Sequence, residues 1–131
     1  MAKENLWGPI EPVPSMRTPT NVLKEQASAL SQMTKGVLRG KVHVGNRGGT
    51  FLIDLSIIAP AINNYEFDVA HVEHELALYP VTVVAAWERY EQGKTVTCQN
   101  EEEFTTALTT ILQSELVRRA IASLLAQSNA M

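Results

Sequence analysis

The sequence predicts an α+β two-layer sandwich, an antiparallel meander sheet of four to five strands packed against an N-terminal helix and a kinked C-terminal helix. Three observations carry this. An apolar stripe at helical spacing occupies residues 19–35, period-two patterns run through the middle of the chain, and helical spacing returns after residue 100. Strands joined by short turns, with helices at both ends, bury their apolar faces best as one sheet layer under one helix layer. The chain has 131 residues, 45% of them hydrophobic and 19% charged. That is the size and composition of a single domain, residues 1–131, able to bury a core without a metal or disulfide staple.

Residues 1–17 hold Pro9, Pro12 and Pro14. Proline removes backbone donors and fixes its own dihedral, so this part reads as an extended arm, with Trp7 and Ile10 as candidate pins to the body or to a partner. A helix follows. Thr18 suits the N-cap and Pro19 the first helical position. Leu23, Ala27, Leu30 and Met33 form its apolar stripe, and Gly36 supplies the left-handed stop.

"GKVHVGNRGGTFLIDLSII", residues 40–58, reads as a hairpin: two alternating stretches flank an Asn/Gly turn. With Asn46 opposite Gly49, Val44 meets Phe51, Val42 meets Ile53 and Gly40 meets Leu55, while Lys41 stands opposite Asp54 on the other face. "YEFDVAHV" continues the alternation as a third strand, with Tyr65, Phe67 and Val69 on one face and Glu66, Asp68 and Ala70 on the other. A fourth strand is expected near 76–87, interrupted by Pro80, and a short fifth in "KTVTC".

Asn100 and Glu103 read as an N-cap with its capping-box partner, and three glutamates favour the positive end of the helix that follows. Phe104, Leu108, Ile111 and Leu112 form one stripe, and Val117, Ala120, Ile121 and Leu124 another. The phase slips at Ser114-Glu115, which predicts a kink or two short helices, with Ser114 as the second cap.

The bulk numbers exclude several function classes. The formal charge is -3, so no nucleic-acid partner is expected, because phosphate neutralisation needs an excess of Lys and Arg. No apolar run approaches the roughly 20 residues of a membrane helix, and the N-terminus lacks the apolar region of a secretory signal. The one cysteine, Cys98, forbids an internal disulfide. A cytoplasmic location and no cofactor are expected.

On the outer sheet face Arg39, Lys41 and His43 lie beside Leu52 and Asp54, with Glu66 and Asp68 beyond. This is either a solvated face of cross-strand charge pairs or a docking face for a partner of complementary charge. Trp7 joins it as a partner-binding candidate. "HVEHE" is the only metal-like grouping. His71, Glu73 and His74 offer zinc-type ligands, but the spacing is not the helical HExxH, and on a strand His74 points away from the other two. Cys98 precedes a helix N-terminus, yet the neighbouring glutamates disfavour a thiolate, so it reads as inert. The "NRGG" turn lacks the phosphate-loop pattern. Trp87 and Tyr90 read as core or lip packing.

The stretch "IIAPAINNYEFDVAHVEHELALYPVTV" resembles a group of small uncharacterised bacterial proteins, in which an "AP…NNY" turn precedes a strand and an "LYPV" segment. "VLKEQASAL" and "EEEFTTALTTILQSE" extend the likeness. The resemblance implies a bacterial cytoplasmic domain and brings no catalytic residues with it. The expected function is a non-enzymatic protein–protein interaction module of the adaptor, immunity or chaperone-like kind, acting on another protein or on itself. The alternative is a small-molecule or metal-binding protein or enzyme using the His71–Glu75 cluster.

Overall fold

The side chain of Thr18 accepts a hydrogen bond from the Asn21 N–H and opens helix α1, Pro19–Met33, with Pro19 in its first turn. The computed structural model describes residues 5–11 and 17–131. Gly36, at φ 81°, ends α1 by donating to the Ser31 carbonyl at 2.8 Å. Val22 and Leu23 are fully buried. Met33, expected in the stripe, is exposed and lines an open groove with Leu30 and Ile121 instead of entering the core.

Five strands follow: β1 Arg39–Arg47, β2 Thr50–Ala59, β3 Tyr65–His74, β4 Val81–Ala85 and β5 Val96–Cys98. They pair antiparallel in chain order. Pro80 sits immediately before β4, where its missing N–H costs the ladder nothing. Helices α2, Glu101–Leu112, and α3, Glu115–Asn129, close the chain. Asn100 caps α2 by accepting from the Glu103 N–H at 2.9 Å, and Ser114 caps α3 by accepting from the Val117 N–H. The Glu103 carboxylate reaches back to the Gln99 N–H, one residue beyond a capping-box partner.

The hairpin register corrects the sequence reading. Gly48 and Gly49 form the two-residue turn, both at positive φ, so Arg47 faces Thr50, Val44 faces Ile53 and Val42 faces Leu55. Lys41 therefore faces Ser56, and His43 faces Asp54. Turn chemistry decides this: a tight hairpin turn matching the strand twist needs left-handed backbone at both central positions, which two glycines supply and Arg47 does not. The slip is two residues, so each side chain keeps its expected face.

A second correction lies in β3. Leu55 faces Ala70 while Ser56 faces Asp68, leaving Val69 as the extra residue of a bulge. The alternation inverts there. Ala70, expected on the outer face, is buried on the helix side, and His71 and Glu73 turn outward to join Glu66 and Asp68.

One apolar cluster holds the layers together. It draws Val22 and Leu23 from α1, Ile53, Leu55 and Ile57 from β2, Val72 from β3, Val81 and Val83 from β4, Phe104 and Leu108 from α2, and Val117 and Leu124 from α3. The three α-helices lie on this face; among the described residues the opposite face of β1–β3 is flanked only by the segment that follows β4. No helix among the described residues is long and apolar enough to cross a membrane.

The described part of the arm corrects another expectation. Trp7 is 83% exposed and Leu6 and Ile10 are exposed with it, so neither Trp7 nor Ile10 pins the arm to the body. The Asn5 side chain accepts from the Trp7 N–H at 3.0 Å and donates to the Gly8 carbonyl. This local turn folds the segment on itself and projects its apolar side chains outward. Pro12 and Pro14 lie outside the described residues.

Candidate functional site

The outer sheet face holds a polar cleft of about 390 Å³. β1 contributes Lys41 and His43, β2 contributes Asp54 and Ser56, and β3 contributes Glu66, Asp68 and His71. Ala86, Arg89 and Tyr90, from the segment after β4, form its rim. His71 lies at the floor, 3% exposed. Its Nδ1 is 2.7 Å from Asp54 Oδ1 and its Nε2 is 2.7 Å from Glu73 Oε2. Both ring nitrogens are thus engaged by carboxylate oxygens, and neither is left free to face a metal or a substrate. The bulge at Val69 makes this possible, because unbroken alternation would aim His71 into the apolar core.

Two further pairs order the cleft. Ser56 donates to Asp68 at 3.0 Å, and Lys41 Nζ lies 3.3 Å from Glu66 across the strand between them. The Arg89 guanidinium stands over the Tyr90 ring, 5.5 Å from its centroid. The face runs from a basic row on β1 (Arg39, Lys41, Arg47) to carboxylates on β2 and β3. Leu52 and Ile58, half-buried, flank the charged rows opposite Glu73 and Glu66.

The structure brings Lys41, His43 and Asp54 together, as read from the sequence, with Arg39 and Leu52 on the same face. Trp7 lies on the arm and does not line this cleft. Of the alternative metal set, His71 and Glu73 meet, but His74 is on the opposite face. Its ring stacks on Phe51 at 5.1 Å, and its Nδ1 donates to the Glu75 carbonyl at 2.6 Å. Among the described residues no group of three or more His, Cys, Asp or Glu side chains is arranged to hold a metal ion. Sequence reading missed Arg89 and Tyr90 as cleft residues. Their approach depends on the path of the chain after β4, which no local pattern encodes.

Cys98 is buried beside α2. Burial first, and the Glu103 charge second, push its thiol up from the ordinary value, which keeps it protonated and inert. Trp87 packs toward Phe67, ring centroids 6.4 Å apart. A broader trough of about 700 Å³ runs between β4, β5 and α2, bordered by Lys94, Val96, Glu102 and Thr106. It holds no comparable convergence of partnered polar groups.

No protein-family model matches the chain, and no curated protein and no solved structure was found to be significantly similar to it.

Proposed function

We propose that this chain is a non-enzymatic interaction protein that docks another protein on the outer face of its sheet, through Arg39, Lys41, His43, Leu52 and Asp54. One observation carries the reading: all three helices pack on one side, and the other side presents ordered, mutually oriented charged rows. Such a surface selects a partner by charge complementarity and register more than by buried apolar area. His71 serves this face as a clamp. Its two carboxylate contacts hold β2 and β3 side chains in place and leave no free nitrogen for acid–base work. The exposed Trp7 on the arm supplies a second, apolar contact, of the type that anchors interfaces. The resemblance noted above favours a bacterial, cytoplasmic setting and an adaptor, immunity or chaperone-like role.

Cross-linking in the native cells tests it. The wild-type chain is expected to recover one stoichiometric partner, which an Asp54→Lys/Asp68→Lys variant loses. Recovery of no partner under several growth conditions, or equal recovery by the variant, refutes the reading.

A second reading, small-molecule binding, rests on the open polar cleft itself, where Lys41, His43, Ser56, Arg89 and Tyr90 converge. A thermal shift with a polar metabolite that disappears in Tyr90→Ala favours it.

A further inference from the structure

We infer that the free edge of β1 takes up an extended strand of a partner protein, one that places acidic side chains on the outer face and apolar ones on the helix side. This rests on the docking reading and names where, and by what chemistry, the partner engages. β1 is the first strand of the sheet, nine residues long, and among the described residues it is paired on one side only. The two-residue Gly48-Gly49 turn makes Arg47 and Thr50 a hydrogen-bonded pair, and such pairs recur at every second residue. Arg39, Lys41, His43, Gly45 and Arg47 therefore bond to β2, while Gly40, Val42, Val44 and Asn46 turn their N–H and C=O groups to the open edge. Among the described residues, the elements packed most extensively on β1 are β2 and, from the helix side, α1. Val44 is 46% exposed.

The side chains decide what fits this edge. The outer row of β1 carries Arg39, Lys41 and Arg47, with His43 and Gly45 between them and no acidic residue, while Val42 and Val44 are apolar on the inner row. Among the described residues neither Arg39 nor Arg47 has an ion-pair partner. A second copy is the wrong occupant. Antiparallel self-pairing centred on His43 would set Arg39 opposite Arg47 and His43 opposite itself, and like charges across a ladder destabilise it. A strand alternating acidic and apolar residues would satisfy the open backbone groups and both rows at once.

A short synthetic peptide alternating glutamate with valine and threonine tests this against the full-length chain. The amide resonances of Gly40, Val42, Val44 and Asn46 are expected to shift most. Arg39→Glu/Arg47→Glu, both at exposed positions, is expected to weaken binding by roughly tenfold or more and to admit the matching lysine peptide. Methylating the peptide's bonding amides is expected to abolish binding. Overturning results are absence of binding, equal binding of a sequence-scrambled peptide, shifts centred on Asp54 and His71, or a wild-type dimer that the peptide dissociates. If the peptide fails while the cellular partner is still captured and still lost with Asp54→Lys/Asp68→Lys, the edge proposal falls and the docking reading stands. If both fail, both fall.

Discussion

Gly40 of β1 meets Ala27 of α1 backbone to backbone. A methyl group built on Gly40 would collide with the Cα and Cβ of Ala27 and lie 2.8 Å from its carbonyl oxygen. Neither neighbour is a flexible side-chain end, so the helix must lift off the sheet to make room. Gly40→Ala is expected to cost about 1–3 kcal/mol by overpacking, enough to lower the melting temperature by several degrees. Gly45→Ala is the control. The nearest atom there is His43 Cε1 at 3.8 Å, an ordinary contact. Equal melting temperatures for the two variants would show that α1 does not rest on β1 at this point.

His71 joins two carboxylates on the outer face of the sheet, Asp54 of β2 and Glu73 of β3. His71→Ala removes both of its contacts and leaves Asp54 and Glu73 without that partner. The carboxylates are partly solvated, at 39% and 34% side-chain exposure, so the loss is expected at about 2 kcal/mol, below that of a fully buried pair. Asp54→Asn is expected to cost less, and the double variant less than the sum of the two, since one network is broken once. Urea midpoints of the three variants measure this. Strict additivity would mean that His71 and Asp54 do not stabilise each other.

The layer order, the five strands, the caps at Thr18, Asn100 and Ser114, and the faces of the hairpin could be read from local pattern. Each depends on periodicity or on one residue's hydrogen-bonding habit. The hairpin partners were harder to read, because "NRGG" admits more than one turn and only the backbone demand at both central positions selects Gly48-Gly49. The clamp around His71 could not be read from alternation. A bulge adds one residue without changing composition, and Val69, the residue added, is as apolar as its neighbours. Everything beyond it changes face. The one hint is that unbroken alternation buries a histidine and a glutamate, His71 and Glu73, among apolar side chains, a cost the chain avoids by bulging. The exposed Trp7 shows the opposite limit: an aromatic residue in an arm carries no periodicity, so nothing local says whether the body covers it.

The Tyr79 hydroxyl is buried and has no hydrogen-bond partner among the described residues. Burial is the main cause that holds its phenol above the ordinary value, followed by the Glu101 charge. The ring packs against the core, so the apolar part earns the position and the hydroxyl opposes it. Tyr79→Phe is expected to raise stability by about 1 kcal/mol, because it deletes an unpaired polar group and keeps the ring. A loss of stability measured by urea unfolding would mean that the hydroxyl has a partner in solution.

Cys98 predicts an alkaline weakness with a definite sign. In the folded chain the thiol holds its proton above the ordinary value of 9.0, through burial and then Glu103. In the unfolded chain it titrates near that ordinary value. Below pH 9 both states carry the proton, and the thiol's contribution to stability is complete. As the pH rises past 9, the unfolded chain loses its proton first, so the folded state binds more protons and stability falls with pH until the folded thiol also ionises. Tyr79 adds a fall of the same sign above its ordinary value of 10.0. Urea midpoints from pH 7 to 11 are therefore expected to decline above pH 9, and to decline less steeply in Cys98→Ala. The alanine leaves a small cavity that lowers every midpoint, so the slope, not the level, is the readout. Alkylation gives an independent check: at pH 8 the native thiol should react far more slowly than in denaturant. Parallel declines for wild type and Cys98→Ala, together with rapid native alkylation, would place the thiol in contact with water and remove it as the cause.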